Sequence, residues 1–588
     1  MGRSRSISAS VLVLGLFAGG ALQAQDRPAG YEPLSIAPDG NGVDLLSGKI
    51  TFPPPTLSIP ANPMLSIGRI HDYDMMLTAT LMSAPGGEPG PRTVKIHSRI
   101  GESVSESFDC LDGDCTTRSA VKSYMLEGSQ AGYFIYRQGG SGKTVIYNLL
   151  YATTPAANGT TSSYYASQVK YADGETQDLE YDLVQWPGPS GSTLNVRRVT
   201  KVKSNRGYEL RVTYISNVFP DVNWGTPATA KVYRRGEYTT ALSSITYQSS
   251  GQATDQLGKI WLGSFQNTLG VSPSVAIGTY RPPTNTTDQI TATSTASDIR
   301  GPLLTSLNKG VNIWNYAYSH ATSPGASNFG QRDVTVTGPN SFYRKATIID
   351  GALTFPRIIS EVDGLNRTMT YTYTGKQVTG ITYPEGNTVS LTYDLIGNIT
   401  QRQQVAKAAS GLATIIQQAG YSADSNCPTE SYVYCFRPIW VRDGLNNQTD
   451  YTWDSVHGGM LTETAPAAPN GIRPQKRIEY TERFAWYKND AGTYVRSPTG
   501  IWLKTRERSC RTTAAAGVSC AGGAADEMVT DYDYGPDTAP NNLLLRGMLA
   551  TATNANGAFE SLRTCISYDA LGRKISETKP LANLTSCP

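Results

Sequence analysis

The chain of 588 residues carries an internal repeat between Ile359 and Thr400. Three markers recur at one offset of 22: Asp363-Gly364 as Glu385-Gly386, Tyr371 as Tyr393, and Gly375 as Gly397. Repeats of about 20–50 residues are typical of stacked or wound architectures, in which one unit cannot bury its own apolar face. The repeat therefore predicts an extended array whose function belongs to the assembled surface.

The residues around the repeat predict strands joined by tight turns. The chain has 34 tyrosines against 12 phenylalanines and 17% charged residues, a composition that suits half-buried strands. An acidic residue before glycine predicts a turn in which the glycine takes a positive φ angle. Each such pair precedes a strand with a tyrosine: Asp363-Gly364 with Tyr371, Glu385-Gly386 with Tyr393, and Asp443-Gly444 with Tyr451. We expect each ring to stack on the equivalent ring of the neighbouring strand, in an all-β fold based on a long, twisted antiparallel sheet.

The clarity of the repeat divides the chain into four regions. Residues 1–24 are predicted to be a signal peptide and residues 25–130 an N-terminal β leader region. Residues 131–350 are predicted to be a divergent, repeat-like β region, because aromatic and β-branched runs flank Gly-rich turns there. Residues 351–588 contain the clear repeats, with insertions that carry cysteines.

The N-terminus has the pattern of a secretory signal. Arg3 and Arg5 form a basic region, residues 11–17 form an apolar one, and small residues follow, in the order that signal peptides show. We predict cleavage after Ala24, with cleavage after Ala21 as the alternative. A membrane anchor is the weaker interpretation, because the apolar run is shorter than the about 20 residues that a span needs. The protein is thus predicted to be exported to the periplasm, the cell surface or the medium.

All eight cysteines lie beyond the predicted signal and fall into close neighbours. An even number in an exported chain is typical of disulfides. Local pairing is the simplest prediction, although eight cysteines allow about 105 connectivities. The predicted pairs are Cys110 with Cys115, Cys427 with Cys435, Cys510 with Cys520, and Cys565 with Cys587. A metal site is the weaker alternative, because no pair has Cys-x-x-Cys spacing and the chain has four histidines. We predict no metal and no cofactor.

Two segments match a Tyr-Asp-x-x-Gly signature. They are Tyr393-Asp394-Leu395-Ile396-Gly397 and Tyr568-Asp569-Ala570-Leu571-Gly572, the second followed by Arg573. With the acidic–Gly turns, they resemble the RHS/YD-repeat family, most clearly over residues 357–588. The resemblance implies a long β-sheet that winds into a hollow shell, which in many members encloses a C-terminal toxin domain delivered to another cell. Other members are surface proteins for which carbohydrate binding has been suggested. We find no core-associated segment with an Asp-Pro-x-Gly motif and no toxin tip, and therefore do not predict toxin activity. The array is also short for a closed shell, so we expect a partial or open one.

No residue pattern predicts a catalytic site. Gly139–Thr144 resembles half of a phosphate loop, but the first glycine of that motif is replaced by Arg137 and the flanks are predicted strands. Asp531 and Asp533 would lie on one face of a strand, without the opposing carboxylate that glycoside hydrolysis requires. The histidines show no metal-ligand spacing: His71, His97, His320 and His457.

The sequence therefore predicts a non-enzymatic, exported scaffold or shell-wall protein, a remnant or component of a polymorphic toxin system. Two alternatives stay open: a cell-surface carbohydrate-binding or adhesin module, and a polysaccharide-active enzyme. The predicted partners are other RHS or toxin components, or surface glycans. Nucleic acid is not a predicted partner, because the net charge is +3 and no long basic run occurs. No membrane span is predicted after signal cleavage.

Overall fold

The computed structural model describes the chain in segments, to which every structural statement below refers. They are residues 39–46, 48–50, 57–59, 62–67, 76–83, 89–97, 104–110, 114–118, 124–129, 132–139, 141–152, 160–187, 193–221, 223–248, 252–262, 275–280, 290–295, 303–320, 330–349, 357–375, 377–422, 432–516, 519–538, 540–553, 558–580 and 584–587. The predicted signal peptide and Cys427 lie outside the described residues, and so does the predicted pairing of Cys110 with Cys115.

The described strands form two large sheets, one of 15 strands and one of 22, in which all pairings are antiparallel. The all-β, antiparallel prediction is confirmed. Within the described residues neither sheet pairs its first strand with its last, so both sheets are open. The chain passes from the first sheet to the second between residues 262 and 275. The region boundaries predicted at 130 and 350 depend on how clear the sequence repeat is, which the division into sheets does not test, so they stay predictions.

The first sheet follows two short strand pairs. These pairs are β1 (Val43–Asp44) with β2 (Lys49–Ile50), and β3 (Leu57–Ile59) with β4 (Asn62–Ile67). The strands of the first sheet are β5 (Met76–Ser83), β6 (Pro89–His97), β7 (Val104–Cys110), β8 (Asp114–Arg118), β9 (Tyr124–Ser129), β10 (Tyr133–Gln138), β11 (Thr144–Ala152), β12 (Thr160–Lys170), β13 (Thr176–Pro187), β14 (Thr193–Ser204), β15 (Tyr208–Tyr214), β16 (Pro227–Arg234), β17 (Ser243–Tyr247), β18 (Gln252–Asp255) and β19 (Ile260–Leu262). From β8 to β19 each strand pairs with the next in the chain, and β5 joins the sheet through β12.

The second sheet continues as a meander to the end of the described chain. Its strands are β20 (Val275–Tyr280), β21 (Ile290–Thr295), β22 (Leu303–Lys309), β23 (Asn312–His320), β24 (Gln331–Gly338), β25 (Phe342–Ile349), β26 (Arg357–Asp363), β27 (Thr368–Thr374), β28 (Gln377–Thr382), β29 (Thr388–Tyr393), β30 (Ile399–Val405), β31 (Ile415–Gly420), β32 (Trp440–Arg442), β33 (Gln448–Trp453), β34 (Met460–Thr464), β35 (Pro474–Arg483), β38 (Ile501–Ala516), β39 (Ser519–Cys520), β40 (Glu527–Asp533), β41 (Gly547–Thr553), β42 (Phe559–Tyr568) and β43 (Lys574–Glu577). A separate pair, β36 (Trp486–Lys488) and β37 (Tyr494–Arg496), lies between β35 and β38. The helices in the described segments are two 3-10 turns, Pro339–Ser341 and Gly523–Ala525.

One face of each sheet is buried. In β15 the alternate residues Tyr208, Leu210 and Val212 are buried, and in β24 Val334 and Val336 are buried. Because successive side chains of a strand point to opposite faces, this alternation collects apolar side chains on one side. Each sheet has its own cluster of buried apolar residues. Residues of the N-terminal leader region contribute to each of the two clusters. Val43 and Leu45 lie in the cluster of the second sheet, whereas Leu57 lies in that of the first.

Candidate functional site: the turns and a seam between the two sheets

A five-residue turn recurs at the ends of the strands. Its first residue is an aspartate or asparagine whose Oδ1 accepts hydrogen bonds from two backbone N–H groups. At Asp363 the donors are Leu365 (2.9 Å) and Arg367 (3.0 Å), the third and fifth residues of the turn. The same two bonds occur in the turns that begin at Asp39, Asp255, Asp394, Asp443, Asn489 and Asp569. The side chain of the first residue therefore fixes the turn, as Asx turns do.

The positive φ angle belongs to the fourth residue of this turn. Asn366 has a φ of 58° and Asn446 one of 65°, whereas Gly364 and Gly444 have no positive φ angle. The prediction from Asp-Gly was wrong at these two turns, because the aspartate side chain sets the geometry and asparagine tolerates the left-handed region. The signature glycines with a positive φ angle are Gly386 (89°), Gly397 (90°) and Gly572 (83°).

The structural equivalent of Tyr393 is Tyr373, so the true offset of the repeat is shorter than its sequence markers predict. The Tyr373 hydroxyl donates to the carbonyl of Ile358, 15 residues earlier, at 2.5 Å. The Tyr393 hydroxyl donates to the carbonyl of Val378, again 15 residues earlier, at 2.6 Å. Tyr371, which the sequence paired with Tyr393, is instead a buried residue of the core.

These tyrosine bonds end on carbonyls that lie at β-bulges. Between β27 and β28, for example, Tyr373 pairs with Val378 after one extra residue, and the Val378 carbonyl accepts the hydroxyl of Tyr393. Elsewhere too, a carbonyl at a bulge accepts a hydrogen bond from the tyrosine hydroxyl of the next unit. The pairs are Ala166 with Tyr181, Val199 with Tyr214, Ile358 with Tyr373, Ile399 with Tyr421, Met460 with Tyr480, and Lys504 with Tyr534. A bulge disturbs the ladder locally, so in these pairs the tyrosine hydroxyl of one unit satisfies the disturbed carbonyl of the unit before it.

The predicted stacking of equivalent tyrosines is not how these rings are used. One structural unit spans two strands, so β28 lies between the strands of Tyr373 and Tyr393, which places those strands about 9.5 Å apart. Across β28, Tyr371 pairs with Ile381, which in turn pairs with Val389. The row across these three strands is therefore one aromatic residue followed by two aliphatic ones.

Removal of one such hydroxyl tests this arrangement. We expect Tyr393→Phe to lower the free energy of unfolding by about 1 kcal/mol, the net contribution of one hydrogen bond. Tyr133→Phe is the matched control, because that ring is exposed, and we expect no measurable change there. Urea unfolding curves of the two variants provide the comparison, and equal losses would contradict the role assigned to Tyr393.

The turn aspartates predict a loss of stability in acid. The side chain of Arg367 donates to Asp363 and holds the pKa of that carboxyl below its usual value, and Asn447 acts likewise on the pKa of Asp443. At Asp569 burial acts in the opposite direction, but hydrogen bonds within the turn still lower the pKa. A carboxyl group whose pKa is lower in the folded state stabilises the fold at every pH above the pKa that it has in the unfolded chain. This contribution is lost as the pH falls from that value through the pKa of the folded state.

Unfolding measured at pH 7, 5 and 3 should therefore show a decline of the urea midpoint below about pH 4, near the pKa of an unfolded aspartate. A variant with asparagine at all three positions keeps the Oδ1 acceptor without the titration. We expect its decline between pH 5 and pH 3 to be smaller than that of the wild type. An identical decline would contradict the role of the turns.

The second sheet returns onto the turns of the first sheet along a contact that we call the seam. It consists of residues 171–175, 204–207 and 234–237 of the first sheet and residues 484–502, 541–544 and 571 that follow β35. The Trp502 N–H donates to the carbonyl of Asp173 at 2.7 Å. The Asn205 side-chain amide donates to the Thr499 hydroxyl at 3.0 Å. The seam thus holds the late repeats against three alternate turns, those that follow β12, β14 and β16.

Partners across the seam lie far apart in the chain. The hydrogen bond from Tyr494 to Glu237 spans 257 residues, and the bond from Arg234 to Asn541 spans 307 residues. The leader also contacts a distant segment, since the bond from Asn41 to Tyr316 spans 275 residues. Contacts over such separations at two places show that the chain returns to its own earlier part.

A buried ion cluster lies on the first-sheet side of the seam. The Arg206 side chain is 2% exposed, and its Nε donates to Glu175 at 2.7 Å while Nη2 donates to Asp173 at 2.5 Å. Ser204 and Gln177 donate to the remaining oxygen of Glu175, at 2.9 Å and 3.0 Å. Burial alone would lower the pKa of Arg206, but the charges of Glu175 and Asp173 raise it. The guanidinium therefore stays charged, and hydrogen bonds compensate its burial.

Two glycines let the backbones approach across the seam. Gly236 has a φ of 79°, and a Cβ atom there would lie 2.1 Å from the carbonyl oxygen of Lys488. Gly174 has a φ of 91°, and its Cβ atom would lie 2.8 Å from the carbonyl oxygen of Gly500. Glycine is therefore required at both positions for its conformation and for the close approach.

The seam also buries a histidine. His457 stacks on Trp502 with ring centroids 4.7 Å apart, and its Nδ1 accepts the N–H of Gly459 at 3.1 Å. Burial lowers the pKa of His457, more than the charge of Asp454 raises it. A neutral imidazole is thus part of the packing beside the seam.

The predicted disulfides are found where the structure describes both cysteines and their surroundings. Two of the predicted pairs form bonds, Cys510–Cys520 and Cys565–Cys587, and Cys435 is disulfide-bonded. Cys510, Cys520 and Asp526 lie close enough to hold a metal, but disulfide sulfurs are not thiolate ligands.

The other residues that the sequence singled out are engaged within the sheet. The Tyr568 hydroxyl donates to the carbonyl of Leu545 at 2.8 Å, and Arg573 donates to Asp569 at 2.6 Å. Tyr451 stacks on Trp453 of its own strand. Asp531 forms an ion pair with Arg506. Each of these side chains thus has a structural contact.

The turns of the seam could be recognised in the sequence, but the ion cluster around Arg206 could not. Its three charges lie in two different turns, with Glu175 and Arg206 31 residues apart. Only the pairing of strands β12 to β15 brings these turns together. The acidic residue before glycine at Asp173-Gly174 was the one local signal.

Known proteins offer few matches to this chain. No family model matches it, and no curated protein does. Among the described residues, no helix has the length and apolar character needed to cross a bilayer.

The solved structures that resemble the chain are toxin-complex proteins. A Tc holotoxin pore of Photorhabdus luminescens with the mutation TccC3-D651A has 11% identity and a TM-score of 0.28, over 86% of this chain and 27% of that chain. A structure of TcdB2-TccC3-TEV has 12% identity and a TM-score of 0.26, over 84% of this chain and 24% of that one. A structure of TcdB2-TccC3 has 12% identity and a TM-score of 0.22, over 90% and 30%. The chain spans about a quarter to a third of these proteins, and the TM-scores are too low to establish a common fold.

Proposed function

We propose that this protein is a non-enzymatic, exported scaffold that forms the wall of a partial shell. The observation that carries the proposal is the seam, where the late repeats contact hairpin turns that precede them by 251 (Lys488 − Glu237) to 329 (Trp502 − Asp173) residues. A flat strip of hairpins would not bring segments so far apart in the chain into contact. A wound strip whose successive windings touch encloses a volume, which is the physical basis of a container or scaffold.

The distribution of polar groups supports a structural role. Tyrosine hydroxyls satisfy bulge carbonyls, as at Tyr393, and aspartates fix turns, as at Asp363. The buried charges of Arg206 and Glu175 are compensated within the cluster. Disulfides such as Cys565–Cys587 are typical of exported proteins and support export. A role as a component of a toxin system is what the RHS/YD resemblance implies, with other toxin components as partners.

Small-angle X-ray scattering of residues 25–588 tests the proposal. We expect a compact particle whose pair-distance distribution is shifted toward longer distances than that of a solid particle of the same size. A wall of protein around a centre of low density produces such a shift. The matched sample is the Gly236→Ala variant, which opens the seam by clash with Lys488 and should increase the radius of gyration. A wild-type profile of an extended, open strip would contradict the proposal.

A further inference from the structure

The two ends of the strands in the second sheet differ in what covers them. Alternate turns of an antiparallel meander lie at the same end of the strands. The turns after β29, β35, β40 and β42 form one end, which we call the seam rim. The turns after β22, β26, β30 and β32 form the opposite end, which we call the outer rim.

On the seam rim, two turns bury an aliphatic side chain at their third position. Leu571 is the third residue of the turn that begins at Asp569, and it packs against the apolar cluster of the first sheet. Ile396, the third residue of the turn at Asp394, is likewise buried, against Tyr432 and Phe436. The third position of the turn is thus the contact position where a turn meets another part of the structure.

On the outer rim the same position is exposed. Leu365 and Leu445 are third residues of the turns at Asp363 and Asp443, and they are 75% and 84% exposed. Val311 and Leu412, in two other turns of this rim, are 96% and 74% exposed. Large apolar side chains repeated along one rim mark an interaction surface. Leu395 and Val456 of the seam rim are exposed too. Val456 is the third residue of the turn that begins at Asp454, so on this rim the third position is buried only where another part of the structure meets the turn.

The first sheet also has a rim that faces away from the seam. The connection between β15 and β16 lies at the end of the strands opposite the seam turn 205–207. It exposes Val218 and Ile215. The described chain therefore exposes apolar side chains at the outer ends of both sheets, while the seam covers part of the rims between the windings.

We propose that the outer rim is a docking surface for a second copy of this chain, which stacks head to tail. The outer rim of one copy would contact the Val218 rim of the next copy, as the seam rim contacts the first sheet within one copy. The inference rests on the proposed function, because it extends the same winding from one chain to the next. A head-to-tail contact uses two different surfaces and therefore allows growth beyond a dimer.

Sedimentation velocity of the mature wild-type chain over a range of concentrations tests this inference. We expect the weight-average mass to rise with concentration above that of the monomer. A triple variant with Leu365→Ser, Leu412→Ser and Leu445→Ser should associate at least about tenfold more weakly, because it loses apolar burial at three turns. Val218→Ser should weaken association as well, whereas Ile575→Ser, an exposed position on β43, should not.

Circular dichroism of each variant checks that it is folded. A wild-type chain that stays monomeric at every concentration would overturn the inference, and so would a folded triple variant or Val218→Ser variant that associates like the wild type. The scattering experiment keeps the two proposals separate. If the wild type is monomeric but scatters as a hollow wall, the docking inference fails and the proposed function stands.

Discussion

Replacement of Arg206 by methionine is expected to lower the free energy of unfolding by about 3–5 kcal/mol, the usual cost of removing one partner from a buried ion pair. Methionine keeps the apolar stem of the side chain but leaves the carboxylates of Asp173 and Glu175 without their cation. Both carboxylates are buried with Arg206, so water cannot replace the guanidinium. Urea unfolding followed by tryptophan fluorescence measures the loss.

The matched control for this variant is Arg367→Met. Arg367 also pairs with an aspartate, Asp363, but both side chains are largely exposed, and exposed pairs contribute little to stability. We expect no resolvable change in the control. Equal effects of the two substitutions would show that the cluster beside the seam is not buried as described.

The second large effect is expected at Gly236. Gly236→Ala introduces a Cβ atom 2.1 Å from the carbonyl oxygen of Lys488, so one backbone must move. The positive φ angle costs about 1–2 kcal/mol for any residue with a Cβ atom, and the clash adds about 1–3 kcal/mol, as overpacking does. We expect the late repeats to separate from the turn at 234–237.

Gly258 offers a control that isolates the clash. It has a φ of 73°, close to that of Gly236, but a Cβ atom there would have open space around it. Gly258→Ala should therefore show the conformational cost alone. Limited proteolysis adds a local readout, since only Gly236→Ala should speed cleavage within residues 484–500. If both variants lose the same stability and are cleaved equally, the close approach at Gly236 is not present in solution.

The sequence was sufficient for the strands and for several turns, because both depend on local properties. Alternation predicts a strand wherever one face is buried, and the aspartate side chain organises a turn within a few positions of itself. Asp394 and Asp569 could therefore be recognised without knowledge of the fold. Gly364 was assigned wrongly because the Asp-Gly dipeptide is typical of hairpin turns, whereas here Asn366 takes the positive φ angle.

The register of the repeat could not be obtained from spacing alone. Tyr371 and Tyr373 both lie in β27 at alternate positions, so they point to the same face. Only the hydrogen bond from Tyr373 to Ile358, and its counterpart from Tyr393, identifies the equivalent positions. Gly375 and Gly397 suggested a wrong offset because they are not equivalent positions. Gly397 lies in the five-residue turn that begins at Asp394, whereas Gly375 lies in the shorter connection between β27 and β28.

The seam could not be predicted either, because its partners lie far apart in the chain, as Glu237 and Tyr494 do at a separation of 257 residues. Nothing in the turn around Gly236 indicates that Lys488 will lie against it. The exposed leucines of the outer rim, such as Leu445, are also ambiguous in sequence, because the equivalent Leu571 is packed against the first sheet. Long-range winding decides which turn is covered.

Zero-length carbodiimide cross-linking of the wild-type protein tests the wound architecture most directly. Lys488 Nζ lies 2.8 Å from the Glu237 carboxylate across the seam, and Lys201 Nζ lies 2.9 Å from Glu180 within the first sheet. We predict that mass spectrometry of the monomeric fraction finds both cross-linked peptides. Recovery of the Lys201–Glu180 product without the Lys488–Glu237 product would contradict the account, because the late repeats would then not return to the first winding.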